Sequence, residues 1–226
     1  MRRAGAVFAQ RGGQPVAVSY GSAAGELAAC VTRAGIADSS QLTKLELSGP
    51  AASLADLVQR ATGSMLAPGG VVHAGGAWWC GADVCGYDGT DRVIVLCEPC
   101  VGARIRDLLS ARTAQLPAIE VHDRSLEWNA ITVIGIAAAS VLRALGVFGP
   151  CGDPRHVAPF TTGRLGGADA IWLLESEHRA LVLVSASHAD AAWREIELVG
   201  RPLQICCVGQ DAIARYALLE RRAALA

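Results

Sequence analysis

Asp38 to Pro50 reads D-S-S-Q-L-T-K-L-E-L-S-G-P, and Asp123 to Ile136 reads D-R-S-L-E-W-N-A-I-T-V-I-G-I. In both, an Asp precedes a strand-like run, a Gly follows (Gly49, Gly135), and then small residues lead into an amphipathic stretch. Further along, D-R-V-I-V-L-C-E-P from Asp91 is echoed by H-R-A-L-V-L-V-S-A from His178. Subtracting residue numbers gives 85 for Asp123 and Asp38, 86 for Gly135 and Gly49, and 87 for Arg179 and Arg92. A near-constant offset marks an internal repeat. Two copies of one unit bury their apolar faces against each other, and ligands favour such an interface.

Working outward, each copy reads β-α-β-β-α. Leu42 to Leu47 alternates as a half-buried strand, and a helix starts beyond Ser48-Gly49-Pro50 with Leu54, Leu57 and Val58 inward. Val71 to Val84, kinked at Gly75-Gly76, and Arg92 to Leu96 form two further strands, with Asp88 to Asp91 as a hairpin tip. Gly102 to Ala111 is a helix. The second copy runs through a lead-in at Ile119 to His122, a strand Ala130 to Ile134, a helix Ala137 to Leu145, a hairpin Ala170–Leu174/Ala180–Val184 and a helix Ala189 to Leu198 capped by Ser187. A Gly/Pro-rich loop, Phe148 to Pro159, interrupts it. Glu26 to Arg33 reads as an earlier helix, Pro202 to Val208 as a late strand and Ala212 to Arg222 as a final helix. The expected class is α+β, with two pseudo-symmetric halves at about 16–115 and 116–226 forming one domain. Residues 1–15 are expected to be a loose arm.

The 226 residues are 52% apolar and 18% charged, with mean hydropathy +0.33 and net charge −1. Such a chain has enough apolar surface to fold, and so few charges fit a body partly covered by another subunit. No basic stripe interleaves with aromatics, so no nucleic-acid partner is expected. The longest apolar run, Ala130 to Leu142, is too short for a membrane span. No signal-peptide core follows Met1-Arg2-Arg3, so a cytoplasmic location is expected.

Eight cysteines raise a zinc reading at Cys80, Cys85, Cys97 and Cys100. Strand geometry opposes it. Cys80 and Cys85 lie five residues apart, on opposite faces and about 16 Å distant at the usual strand rise. They read as small buried thiols, with Cys80 and Cys97 or Cys100 as a conceivable cross-strand pair. The Gly163 to Gly167 run neither follows a clean strand nor opens a helix, so it is a poor phosphate loop. Ser22 departs from the nucleophile-elbow pattern. The five His residues are scattered, none at metal spacing with another. Of adjacent Trp78 and Trp79, one is expected in the core and the other at a surface.

Val18 to Ala52, with Tyr20, Gly21, Glu26, Ala34-Gly35, Asp38, Ser40, Ser48-Gly49-Pro50 and Ala52, resembles the opening of aminomethyltransferases, the T-protein of the glycine cleavage system. Leu27 stands where that family has a His. The later stretches Val121 to Gly135 and Leu183 to Ile196 are similar to the gamma subunit of heterotetrameric sarcosine oxidase, which shares the folate-binding fold. The resemblance implies an aminomethyltransferase-like folate-binding domain, without the family's C-terminal barrel, over residues 16–226. It implies tetrahydrofolate as cofactor and larger oxidase or one-carbon enzyme subunits as partners.

The family's functional residues transfer incompletely. Its Asp pair falls on Gly81 and Ala82, leaving Asp83 one step on as the catalytic candidate. A one-residue shift turns a strand side chain to the other face, so Asp83 serves only if a bulge restores it. Cys97 takes the place of the family's Asn. Glu177 matches the first Glu of the hairpin motif, while Leu174 and Leu181 replace its Tyr and second Glu. Arg215 and Glu220 echo a late Arg and Glu. Asp83 as acid–base group, and Glu177, Arg215 and Cys97 as folate contacts, are therefore the candidate site. Two functions stay open: a non-catalytic or folate-binding subunit of a hetero-oligomeric amine oxidase or one-carbon complex, and an active tetrahydrofolate-dependent one-carbon transferase.

Overall fold

A computed structural model describes residues 5–11, 13–62, 67–72, 82–114, 118–149 and 157–224. The first half contributes β4 (Thr43–Ser48), α2 (Ala51–Thr62), β5 (Val71–Val72), β6 (Ala82–Tyr87), β7 (Arg92–Cys97) and α3 (Pro99–Thr113). The second contributes β9 (Trp128–Ile134), α4 (Ala138–Ala144), β10 (Phe160–Leu165), β11 (Ala168–Ser176), β12 (Arg179–Ser185) and α5 (Ala189–Gly200). The strand orders are β5-β6-β7-β4-β8 and β10-β11-β12-β9-β3-β13. Here β3 is Gly35–Asp38, β8 is Glu120–Asp123 and β13 is Cys206–Cys207. Each sheet thus takes one strand from the other half. β3 pairs antiparallel with β9, and β8 pairs antiparallel with β4.

The four layers follow from side-chain alternation. On β7, Val93, Val95 and Cys97 pack with Leu54, Val58 and Ile105 of the helices, while Ile94 and Leu96 face the other sheet. On β12, Ala180, Val182 and Val184 face the α4/α5 side, while Leu181 and Leu183 face inward. Strands buried on both faces read as unbroken apolar runs rather than alternation. Leu42, Ile94, Leu96, Leu173, Leu181 and Leu183 make the inter-sheet core. Each such side chain contributes about 1.5–3 kcal/mol by leaving water.

The crossover of the halves is repeated almost atom for atom. Asp38 Oδ1 accepts the Ser40 N–H at 2.9 Å, and Asp123 Oδ1 accepts the Ser125 N–H at 3.0 Å. Ser40 Oγ accepts from the Ala130 N–H at 3.2 Å, and Ser125 Oγ from the Lys44 N–H at 3.0 Å. The Ser39 N–H donates to the Ala130 carbonyl at 2.9 Å, and the Arg124 N–H to the Lys44 carbonyl at 2.8 Å. The Gly49 N–H reaches the Asp91 carbonyl, and the Gly135 N–H the His178 carbonyl. The repeat in the sequence is therefore a pseudo-dyad in space.

α1 (Ala23–Thr32), capped by Ser22, and α6 (Gln210–Ala224) close one side. Both oxygens of buried Glu26 accept backbone N–H groups, from Tyr20 and Gly209 at 2.7 Å each.

Several expectations are corrected. In place of a loose arm, β1 (Val7–Arg11) and β2 (Gln14–Ser19) form a hairpin. Gly13, at φ +82°, lies in its turn. Arg11 pins the hairpin to Asp211 of α6 at 3.1 Å. The late strand shrinks to β13, because Arg201–Leu203 makes a 3-10 turn around Pro202 and Gln204 takes a left-handed φ of 53°. α5 starts after His188 with no side-chain cap; Ser187 Oγ instead lies 3.1 Å from His188 Nδ1. β3 and β10 were not expected as strands. The Gly75-Gly76 kink, Trp78, Trp79 and Cys80 lie outside the described residues.

Candidate functional site

Between the sheets, a cleft of about 360 Å³ opens where the start of β12 meets the end of β7. Val84, Leu42 and Leu181 give it apolar walls. Polar atoms come from Gln41, Glu98, Glu175, Arg179 and Gln210, and one face of α6 forms the lip. The volume lies within the range of small-ligand pockets, and a mostly apolar wall with a few placed polar groups is the usual composition.

The strongest electrostatic feature is an ion pair inside this wall. Arg179 Nε lies 3.2 Å from Glu175 Oε2, with the side chains 20% and 1% exposed. The two groups are withdrawn from water together, and removing either partner alone is strongly destabilising. Gln210 is fixed by donating to the Asp38 carbonyl at 2.9 Å, and Ser39 Oγ is 2.7 Å from Thr132 Oγ1. The polar lining is thus pinned to the crossover of the two halves. Arg11, tied to Asp211, stands at the mouth.

The four residues singled out from the sequence sit beside this cleft in the chain, each offset from its lining. Asp83 precedes Val84, Cys97 precedes Glu98, Arg215 follows Ala214 and Glu177 lies two beyond Glu175. Cys97 is fully buried in the core between the first sheet and its helices, so its thiol faces away from the cleft. That is the expected consequence of a one-residue step along a strand. Glu177 is exposed in the β11–β12 turn and borders a separate depression with Leu142 and Phe148. Arg215 is exposed on α6, off the face formed by Ile213, Ala214 and Ala217. At Asp83 the ladder slips, because Ala82 pairs with Cys97 and Val84 with Leu96, which makes Asp83 the extra residue of a bulge. Its side chain lies outside those described.

Sequence reasoning passed over Glu175, Arg179 and Gln210. A signal existed for the first two. Asp88 with Arg92 and Glu175 with Arg179 are both acid–Arg pairs four apart at hairpins, with N–O separations of 3.6 and 3.2 Å, and they repeat at an offset of 87. Gln210 carries no local signal, since only the tertiary crossing of α6 brings it to Asp38.

No family model and no curated protein matches the sequence. Solved structures do match. A glycine cleavage system aminomethyltransferase T from Bartonella henselae superposes with a TM-score of 0.73 at 16% identity, covering 92% of this chain. The chain spans 57% of that protein's length. A heterotetrameric sarcosine oxidase from Corynebacterium sp. U-96, solved in complex with pyrrole 2-carboxylate, matches with a TM-score of 0.58 at 24% identity, over 80% of this chain and 92% of that one. The resemblance expected from Tyr20 to Ala52 and from the later stretches is therefore shown at the level of the fold, which is aminomethyltransferase-like.

Proposed function

We propose that this chain is a degenerate aminomethyltransferase-like protein. In this reading it holds a folate without turning it over, as a subunit of a hetero-oligomeric amine oxidase or one-carbon complex. The observation that carries the reading is the buried Glu175–Arg179 pair in the wall of the inter-sheet cleft. A pterin presents adjacent ring N–H donors, and a desolvated carboxylate accepts them through short charge-assisted bonds. Arg179 orients Glu175 for that task. Arg11 at the mouth and exposed Arg215 nearby give cationic partners for a glutamyl tail. The place the resemblance reserves for an Asn is occupied by Cys97, which faces the helices, and this weakens any transfer chemistry. The domain in this proposal is residues 16–226, and its location is cytoplasmic. Among the described residues no helix is long and apolar enough to cross a membrane.

One observation favours a second reading, an active tetrahydrofolate-dependent one-carbon transferase. The bulge at Asp83 is the device needed to redirect a carboxylate at that position.

Thermal melting of the chain with tetrahydrofolate, together with an assay for methylenetetrahydrofolate formation from tetrahydrofolate and an aminomethyl donor, tests both readings. At a hundredfold excess over Kd, a ligand of the folded state adds about 2.7 kcal/mol. For a chain of this size that raises Tm by about 5–10 °C. The expected result is such a shift, reduced in Glu175→Gln, with no product formed. Absence of a shift overturns the folate reading. Product formation that Asp83→Asn abolishes establishes the transferase instead.

A further inference from the structure

The pseudo-dyad that builds the folate cleft also builds its counterpart. A second cavity, of about 450 Å³, is lined by the start of β7 and the end of β12. The cleft is lined by the start of β12 and the end of β7. Residues correspond at the repeat offset: Arg92 to Arg179, Ile171 to Val84 and Ser185 to Glu98 at 87, and Trp128 to Leu42 at 86. The two ends have diverged in one direction. The acid Glu98 becomes the hydroxyl of Ser185, and the apolar Leu42 becomes the half-buried indole of Trp128. The edge strand β10 adds Arg164 and Thr162.

The guanidinium of Arg92 is positioned but not saturated. It sits 6.0 Å from the Phe160 ring centroid, and its Nε is 3.6 Å from Asp88 Oδ2. That Nε is buried and has no hydrogen-bond partner among the described residues. With Nε turned toward Asp88, the rest of the side chain, 31% exposed, lines the cavity. Arg164 spends one N–H on the Gly167 carbonyl at 2.5 Å, which leaves most of its five donors for a ligand. Asp169 lies opposite Arg164 in the β10–β11 register and lines the same rim. With Asp88 behind Arg92 and Asp169 beside Arg164, the cavity is close to charge balance. No excess positive charge is left to hold a polyanion such as phosphate, while the two guanidinium groups can still share the hydrogen bonds of one carboxylate. The indole face, with Ile171 and Leu183 behind it, offers stacking area to a flat ring.

We propose that this second cavity binds a small monoanion of one chemical class, a carboxylate on a flat aromatic ring. Arg92 and Arg164 take the carboxylate, and Trp128 covers the ring. The site is distinct from the cleft and stands or falls independently of the folate reading.

Calorimetric titration of the full chain with 2-naphthoate tests it. The expected result is one site with Kd below about 1 mM. Arg92→Gln, Arg164→Gln and Trp128→Ala should each weaken binding about tenfold or more, and neutral 2-naphthamide should bind about tenfold more weakly than the acid. Arg60→Gln, on the exposed side of α2 and outside the cavity lining, should leave the affinity unchanged. Arg164 is exposed on an edge strand, so its variant keeps the test valid if Arg92→Gln fails to fold. The proposal is overturned if 2-naphthoate does not bind or if the amide binds equally well. It is likewise overturned if inorganic phosphate competes at equal concentration, or if Arg60→Gln rather than Arg164→Gln removes binding.

Discussion

Lys44 is a fully buried lysine at the point where the two halves cross. Its Nζ donates to the carbonyls of Ser40, Leu42 and Ser125 at 2.7, 2.8 and 3.3 Å, so one ammonium bridges both Asp-Ser turns. Burial pushes its pKa down to about 8, against the opposing pull of Asp38 and Asp123. Its ordinary value is 10.5, so between about pH 8 and 10.5 the unfolded chain binds more protons than the folded one, and stability rises with pH there. Cys30 and Cys85 act with the opposite sign. Burial raises both thiols from 9.0 to about 12, so the folded chain holds protons that the unfolded chain loses, and stability falls above pH 9. The urea midpoint should therefore climb from about pH 8 to 9 and then fall. Lys44→Met should remove the climb, and Cys85→Ala should soften the fall. The same scale tests the pseudo-dyad. Ser40→Ala and Ser125→Ala each delete the equivalent bond from the crossing backbone N–H, Ser40 also losing a longer donation to the Ala130 carbonyl at 3.4 Å, and each should cost about 1 kcal/mol by urea titration. An inequality of several-fold contradicts the equivalence.

Among the elements, the apolar strands β7, β9 and β12 were legible because each is buried on two faces and reads as a continuous run. The strand β3 was legible only as the Asp landmark that ends it, and β8 only as a lead-in, Ile119 to His122, with no sheet assigned to it. Four residues, Gly35–Asp38 or Glu120–Asp123, are too few for a period to show, and nothing local says that each will join the other half's sheet. The cleft lining was missed by one or two residues for the same reason. A motif fixes a strand's position, while the facing of one side chain depends on register and on the bulge at Asp83. Gly135 was readable as a landmark, and the structure supplies its cause. Its φ is +115°, and an added Cβ would fall 2.6 Å from the carbonyl oxygens of Arg33 and Cys30. Gly135→Ala should therefore destabilise the chain by about 1–3 kcal/mol, read as a lowered urea midpoint with an unchanged slope. Gly102 is a packing glycine on α3, where a Cβ would collide with the side chain of Thr43 on β4. Its alanine variant should separate α3 from β4 at a similar cost.

For the whole molecule, exchange of β3 and β8 makes each sheet incomplete without the other half. The inter-sheet space, with a cavity on each side of the pseudo-dyad, exists only when both halves are folded together. Large apolar side chains remain outside this body, among them Leu126 at 88%, Leu198 at 61% and Ile136 at 56% exposure. In a chain with only 18% charged residues, they fit the proposed role as a subunit. Expressed alone, the chain should elute on size exclusion as a self-associated species heavier than its 23.4 kDa, and a monodisperse monomer would contradict the subunit reading. The fold claim is tested most directly by splitting the chain into residues 1–115 and 116–226 and recording circular dichroism of each fragment and of their mixture. Two unfolded fragments that regain α+β structure as a 1:1 complex on mixing are expected. Two fragments that fold independently, with no change when combined, would contradict it.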